Sequence, residues 1–193
     1  MVKQKRKKRN ILRVIITVLI LSVVMCIVGY FAYNRWLYYS YPKKYSEYVE
    51  KYAKEYNVSE NFVYAVIKTE SGFKSDAVSD VGARGLMQIM ETTFDWIKFK
   101  CDDENAVFYD MYNPEDNIRY GCWLLGYLYD EFGSIETAAA AYHAGRGNVN
   151  EWLSDKRYSS DGVTLEEIPI PDTAHYVEKI TKAVEIYTRL YDK

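Results

Sequence analysis

The chain has 193 residues, of which 49% are apolar and 27% charged, and it has only 4 prolines. This composition excludes a disordered, collagen-like or disulfide-framework protein. The net charge of −2 conceals an asymmetry, because residues 1–41 hold 8 Lys and Arg and no acid. Residues 42–193 therefore carry the remaining 17 basic and all 27 acidic residues. This longer segment is acidic overall, whereas contacts to nucleic-acid phosphates need clustered Lys and Arg. We therefore exclude nucleic acid as a partner.

The first 41 residues have the pattern of a membrane anchor. A basic head, residues 1–13, precedes an uncharged run over residues 14–33. A helix rises 1.5 Å per residue, so this run spans about 30 Å, the thickness of the hydrocarbon core. Residues 34–41 add Trp and Tyr of the kind found at membrane interfaces. Positive charge stays inside, so the sequence predicts a single pass with the head in the cytoplasm and residues 42–193 outside.

A cleaved signal peptide is the alternative interpretation of this segment. The apolar run is longer than a typical signal core, and the stretch Tyr30-Phe31-Ala32 begins with a bulky residue where a small one is needed. Met25 before Cys26 is also too large for a good lipoprotein signal. These features favour a retained transmembrane helix.

Helical periodicity recurs through the outer segment, and strand signals are nearly absent. Helices are predicted over 44–56, from a cap at Ser59 to Thr69, over 86–98, from the Asn113-Pro114 start to Gly133, from a cap at Ser134, over 148–153, and from a cap at Asp172. Loops are predicted over 76–85 and 154–171. The fold class is therefore mainly α, with one globular helical domain after the transmembrane helix.

The sequence offers little support for metal or cofactor chemistry. His143 and His175 are the only histidines, and neither has a partner at metal-ligand spacing. No phosphate-binding loop and no nucleophile elbow is present. We therefore predict neither a metal site nor a cofactor.

Glu70 is the residue most suggestive of chemistry. It continues the apolar stripe of Val63, Val66 and Ile67 and lies near the end of its helix. Burial and the negative end of the helix dipole both raise the pKa of a carboxyl group, which suits a general acid near neutral pH. The alternative is a glutamate at the edge of the stripe that simply reaches water.

Four segments carry a resemblance to a known family. They are residues 67–73 (IKTESGF), 82–88 (GARGLMQ), 140–145 (AAYHAG) and 168–177 (IPIPDTAHYV). In this order and spacing they resemble the motifs of the soluble lytic transglycosylase (SLT) family, in the goose-type-lysozyme-like group. The resemblance covers about residues 42–191. It implies a lysozyme-like α+β fold with minimal β structure, and an enzyme of the bacterial cell wall that needs no cofactor.

The resemblance also implies roles for individual residues. Glu70 matches the sole catalytic acid/base, and Ser71 matches a serine that helps to hold the substrate and the glutamate. Met87 and Gln88 match cleft-floor residues that face sugar. The remaining matches are substrate-binding positions of the last two motifs, namely Tyr142, His143 and Tyr176. Tyr176 is expected to form a hydrogen bond near the catalytic carboxylate.

Two positions depart from the family pattern. His143 stands where the family usually has Asn, and it is larger and can become charged near pH 6.5. Glu91 stands where Pro often follows the Gly-Leu-Met-Gln stretch, which should alter only a helix start.

The implied reaction uses one carboxylate to cleave the bond between N-acetylmuramic acid and N-acetylglucosamine, forming a 1,6-anhydro ring. The implied partners are peptidoglycan glycan strands and the bacterial membrane. A hydrolytic muramidase would need a second carboxylate, for which Asp76 and Asp80 are candidates, although solvated loop acids are the plainer interpretation. A wall-binding scaffold without activity is a third alternative, supported only by His143.

Two further questions remain open at the level of sequence. Cys101 and Cys122 could form a disulfide in an outer domain, although Cys122 also fits a buried free thiol. Tyrosine is frequent, with 20 residues, and Tyr109, Tyr112 and Trp123 are candidates to line the cleft.

Overall fold

The computed structural model describes residues 2–192, without the side chains of 2–12 and 14. The chain divides into two compact units, Met1–Pro42 and Lys43–Lys193. The first unit is one helix, α1 (Val2–Ser40). Its segment Ile15–Ser40 is long and apolar enough to cross a membrane. The predicted cationic side chains of residues 3–9 lie outside the described ones.

The second unit consists of helices joined by loops. In chain order these are α2 (Ser46–Glu55), α3 (Glu60–Glu70), α4 (Glu91–Lys100), a 3₁₀ helix (Phe108–Tyr112), α5 (Pro114–Phe132), α6 (Ile135–Ala144), α7 (Arg146–Ser154) and α8 (Pro171–Tyr191). Helix α5 packs on α2 and α6, and α8 packs on α3 and α6. Within residues 2–192 the β structure is limited to isolated bridges from Arg84 to Val78 and Ile89. The predicted fold class is confirmed.

The ends of α5 and α6 follow from local sequence. The side chain of Asn113 accepts hydrogen bonds from the backbone N–H groups of Glu115 and Asp116, and Pro114 occupies the first helical position. Gly133 ends α5 in the left-handed conformation, with φ of 71°. Ser134 then caps α6 by accepting a hydrogen bond from the backbone of Thr137. These predicted boundaries are confirmed.

The helix predicted from Leu86 is wrong in its first turn, since α4 begins only at Glu91. The preceding residues form a tight loop in which Arg84 and Ile89 exchange two backbone hydrogen bonds of 3.0 Å. Gly85 and Gln88 both have positive φ within this loop, so it cannot be helical. Glu91 occupies the helix start, as its position after the motif predicts.

Two predicted caps differ in detail. Helix α8 begins at Pro171, so Asp172 lies in its first turn instead of capping it, where a carboxylate still interacts favourably with the helix dipole. Ser59 precedes α3 at the cap position, but its side chain makes no capping hydrogen bond.

The cysteines of the second unit do not form the disulfide considered from sequence. Cys101 is an exposed free thiol at the end of α4, and Cys122 is a buried free thiol on α5. Burial raises the pKa of Cys122, which keeps it an unreactive thiol of the core.

Candidate active site

Glu70 is the last residue of α3, and it is held by a tyrosine from α8. The hydroxyl of Tyr176 donates a hydrogen bond of 2.8 Å to Oε1 of Glu70. Tyr176 is itself only 6% exposed, and Val63, Val66 and Ile67 of the predicted stripe are fully buried. The interpretation of Glu70 as part of the apolar face is therefore correct, and Glu70 lies partly buried at its end.

The surroundings of Glu70 change its acidity. Burial raises the pKa of Glu70 to about 7, although the hydrogen bond from Tyr176 lowers it. A carboxyl group with this pKa is protonated in a large fraction of molecules at neutral pH. It can therefore give up a proton and take one back under the same conditions.

The loop over residues 84–89, which we call the floor loop, lies beside the end of α3, and two hydroxyl groups hold it there. The hydroxyl of Ser71 donates to the carbonyl oxygen of Leu86 at 2.7 Å, which joins the end of α3 to the loop. The hydroxyl of Tyr142 on α6 donates to the carbonyl oxygen of Met87 at 2.6 Å. Residues from three separate motifs thus meet at consecutive carbonyl groups.

Asn117 of α5 holds this loop through three hydrogen bonds. This residue was not singled out from the sequence. It is 1% exposed, and its Oδ1 accepts a hydrogen bond of 2.8 Å from the backbone N–H of Met87. Its Nδ2 donates to the carbonyl oxygens of Arg84 and Met111 at 3.0 and 2.9 Å. The signal was present, since Asn117 lies next to Ile118 on the buried face of α5, where an unpaired amide would be costly.

Met87 and Gln88 were both expected to face sugar. The structure differs from this expectation for the Met87 side chain and gives the Gln88 side chain partners within the loop. The Met87 side chain is 0% exposed and lies against Gly121, so it does not face a sugar. Gln88 is partly buried, and its Nε2 donates to the carbonyl oxygens of Gly85 at 2.8 Å and Ala77 at 3.2 Å. The Gln88 amide therefore stabilises the loop through these two hydrogen bonds.

His143 lies beside Tyr176, the residue that holds Glu70. Its ring is 4.5 Å from the Tyr176 ring between centroids, and its Nδ1 is 3.0 Å from Oγ1 of Thr173. Desolvation lowers the pKa of His143, against the opposing effect of Asp172. His143 is therefore neutral at physiological pH, and it contacts the tyrosine that holds Glu70.

A cavity of about 350 Å³ adjoins Tyr142. Its lining comes from α4, α5 and the α6–α7 junction, namely Thr92, Thr93, Trp96, Leu124, Leu128, Ala141, Tyr142, Gly145 and Arg146. The lining combines apolar surface with hydroxyl and guanidinium groups, as is usual for ligand sites. Trp96 was missed by the sequence interpretation.

The other aromatic and acidic candidates are distributed around the domain. Tyr109 and Tyr112 pack together with ring centroids 5.5 Å apart, and Tyr109 is 74% exposed. Trp123 packs against Trp96, with centroids 5.3 Å apart. Asp76 and Asp80 are exposed loop residues. Among the described side chains, no group of three or more His, Cys, Asp or Glu residues could hold a metal ion.

The buried helix that ends in a single glutamate, beside a floor loop and a polar-apolar cavity, defines a lysozyme-like domain. Residues 47–163 match the family model of the transglycosylase SLT domain. The chain therefore belongs to the SLT family, and the resemblance seen in its four motifs is confirmed.

Three relatives illustrate the similarity. The soluble lytic murein transglycosylase of Salmonella typhimurium is 33% identical over 152 residues, covering 77% of this chain and 23% of that protein. The membrane-bound lytic murein transglycosylase C of Serratia proteamaculans is 29% identical over 168 residues, covering 76% and 47%. The structure of an inactive glutamate-to-glutamine mutant of lytic transglycosylase Slt from Pseudomonas aeruginosa aligns with a TM-score of 0.70 at 32% identity, covering 79% and 25%. The chain thus spans about a quarter of the length of the Salmonella typhimurium and Pseudomonas aeruginosa proteins.

Proposed function

We propose that this protein is a membrane-anchored lytic transglycosylase that cleaves the bond between N-acetylmuramic acid and N-acetylglucosamine in peptidoglycan. The observation that carries the proposal is the partly buried Glu70, with a pKa of about 7, hydrogen-bonded to Tyr176 within an SLT domain. The names of the relatives support it, as does the inactive glutamate-to-glutamine mutant of the Pseudomonas aeruginosa enzyme.

In the proposed reaction Glu70 acts twice. Protonated Glu70 gives its proton to the bridging oxygen, the bond from C1 of the muramic sugar to that oxygen breaks, and the glucosamine unit leaves with the new hydroxyl. Glu70, now a carboxylate, takes the proton from the muramic C6 hydroxyl, whose oxygen closes on C1. Glu70 gives one proton and takes one back, so it ends the cycle in its starting form, and no water is consumed. Ring closure gains from proximity because both reacting atoms belong to one sugar.

The hydroxyl donors around Glu70 suit this cycle. Burial raises the pKa values of Tyr142 and Tyr176 well above the ordinary value, so both hydroxyls stay protonated. Tyr176 can then donate to Glu70 as its negative charge appears. We propose that Ser71, Gln88, Tyr142 and His143 border the bound sugars, and that Met87 contributes through its backbone.

The N-terminal helix supports the membrane part of the proposal. Ile15–Ser40 could span a bilayer, and one relative is named as membrane-bound. We propose a single pass, with the basic head in the cytoplasm and the SLT domain on the cell-wall side. Peptidoglycan lies on that side of a bacterial cell membrane, so this orientation brings substrate and Glu70 together.

Product analysis tests the reaction directly. We expect the full-length protein, purified in detergent, to release fragments from peptidoglycan that end in 1,6-anhydromuramic acid by mass spectrometry. Reducing muramic ends would mean that water attacks, and would return attention to Asp76 and Asp80 as the second carboxylate. No fragments at all from a folded protein would contradict an enzyme and favour a wall-binding scaffold.

Tyr176→Phe should move the pH dependence of cleavage. The hydrogen bond from Tyr176 lowers the pKa of Glu70, so its removal should raise that pKa above about 7. The acid form is the active one, so activity is lost as pH rises through the Glu70 pKa. A hydrogen bond to a charged group is worth roughly 1.5–3 kcal/mol, so the alkaline limb of kcat/KM should shift upward by about one to two pH units.

Tyr64→Phe provides the matched control for this experiment. Tyr64 is also fully buried, but its hydroxyl has no hydrogen-bond partner among the described residues. Its removal should leave the pH profile in place. A downward shift for Tyr176→Phe, or equal profiles for the two variants, would contradict the proposed interaction.

A further inference from the structure

An aromatic cluster outside the proposed mechanism lies on the surface of α4 and α5. It consists of Trp96, Trp123 and Tyr127, and we refer to it as the aromatic shelf. The rings of Trp123 and Tyr127 stack with centroids 5.4 Å apart and planes 8° from parallel. Trp96 meets both rings at steep angles, with centroid distances of 5.3 and 5.1 Å. All three side chains remain partly exposed.

The aromatic shelf lies between two cavities. Trp96 lines the cavity of about 350 Å³ that also contacts Tyr142. Trp123 and Tyr127 line a second cavity of about 320 Å³, to which the end of α2 also contributes. The lining of this second cavity is Glu55, Tyr56, Asn57, Trp123, Gly126, Tyr127 and Asp130. Because Trp96 contacts Trp123 and Tyr127, the aromatic shelf separates two ligand-sized cavities that lie on either side of it.

The chemistry of the second cavity favours a neutral, hydroxyl-rich ligand. Its aromatic rings offer flat apolar surface for the C–H face of a pyranose ring. The exposed carboxylates of Glu55 and Asp130 accept hydrogen bonds from hydroxyl or amide N–H groups, and Asn57 can both donate and accept. Among the described residues, no Lys or Arg lines this cavity. A phosphate or another anion would therefore lack a cationic partner there.

We propose that the aromatic shelf and its second cavity bind the uncharged N-acetylglucosamine units of the glycan strand beyond those held near Glu70. The shelf borders the cavity beside Tyr142 through Trp96, and the proposed substrate is a long polymer, so one strand can contact both. The inference rests on the proposed function for the identity of the polymer. Two contacts along one strand increase the time that the strand stays bound, because the second contact forms within a complex that already exists.

Binding to strands of different length tests the inference. The probes are peptide-free glycan strands, one preparation long and the other a tetrasaccharide, titrated into the full-length protein in detergent. The protein carries Glu70→Gln so that binding is measured without cleavage. Adding Trp123→Ala should weaken the Kd for long strands about tenfold, as loss of an aromatic contact does. The Kd for the tetrasaccharide should change by less than about twofold.

Two further variants keep the test independent of misfolding. Asp130→Asn changes only an exposed carboxylate of the second cavity, and it should also weaken the binding of long strands selectively. Phe99→Ala removes an aromatic side chain that is 77% exposed on α4 but outside the shelf, and it should change neither Kd. Equal weakening for both probes, no weakening for long strands, or binding only when stem peptides are present would overturn the inference.

The same experiment separates this inference from the proposed function. Cleavage by the protein with its native Glu70 is measured on the same strands. Cleavage without any effect of Trp123→Ala on long-strand binding would overturn the shelf alone. Absence of cleavage, with selective loss of long-strand binding in Trp123→Ala, would overturn the lytic activity and leave the shelf as a glycan-binding site.

Discussion

Glu70→Gln is expected to abolish cleavage of peptidoglycan and, at the same time, to stabilise the fold at alkaline pH. Glutamine keeps the shape of the side chain and can still accept the hydrogen bond from Tyr176, but it cannot carry a proton to the bridging oxygen. General acid–base groups contribute roughly 10²–10⁴-fold to rates, and Glu70 fills both roles, so we expect a loss of about 10³-fold or more. The release of soluble muramic fragments measures it.

The gain in stability follows from the raised pKa. Burial raises the pKa of Glu70 from 4.5 to about 7, so folding with an ionised Glu70 is unfavourable. Below the unfolded value of 4.5 the group is protonated in both states and there is no penalty. The penalty develops as pH rises from 4.5 to about 7 and is complete above that. Glu70→Gln should therefore raise the free energy of unfolding by about 3 kcal/mol near pH 8 and leave it nearly unchanged near pH 4.

Chemical denaturation at the two pH values checks this sign, and Glu104→Gln is the matched control. Glu104 is an exposed glutamate in the loop after α4, so its replacement should alter neither activity nor stability. Activity of Glu70→Gln near that of the native protein would remove Glu70 from the chemistry. Equal stability at the alkaline pH would show instead that the carboxylate is solvated in the folded protein.

The helix ends that could be predicted from sequence are the ones with local causes. Asn113, Pro114 and Ser134 act within three or four residues of themselves, by capping or by a fixed φ, so their effect is independent of the rest of the fold. The apolar stripe that contains Glu70 is equally local, because helical period alone places these side chains on one face.

The floor loop could not be predicted in this way, because its conformation depends on distant partners. Leu86 and Met87 have the composition of a helix start, but the backbone of Met87 is bonded to Asn117, 30 residues later. This contact, with the hydroxyls of Ser71 and Tyr142, outweighs local propensity and turns the Met87 side chain into the core. The position of Trp96 in the cavity that Tyr142 also lines likewise depends on how α4 and α6 each pack on α5.

Gly85→Ala is expected to destabilise the protein strongly, because the added methyl group has no space in the floor loop. A Cβ at this position would lie 2.1 Å from the carbonyl oxygen of Met111 and 2.3 Å from Nδ2 of Asn117. One of these atoms is backbone, and the other belongs to the amide that holds the loop, so neither can move without breaking a hydrogen bond. The φ of +77° adds strain for any residue with a side chain. We expect a loss of about 3–5 kcal/mol in the free energy of unfolding.

Gly82→Ala separates the clash from the backbone strain, since Gly82 has a φ of +86° but a Cβ added there would have no neighbouring atom within 4 Å. It should lose only about 1–2 kcal/mol, the ordinary penalty of the left-handed conformation. Urea unfolding of the two variants gives the comparison, and equal losses would contradict the close packing of Gly85 on Asn117. Where Gly85→Ala stays folded at low temperature, its cleavage rate should also fall. The loop carbonyl oxygens that accept hydrogen bonds from the hydroxyls of Ser71 and Tyr142 would move with the loop. Gly82→Ala should keep its rate, which would show that the floor loop, and not the turn at Gly82, controls the geometry around Glu70.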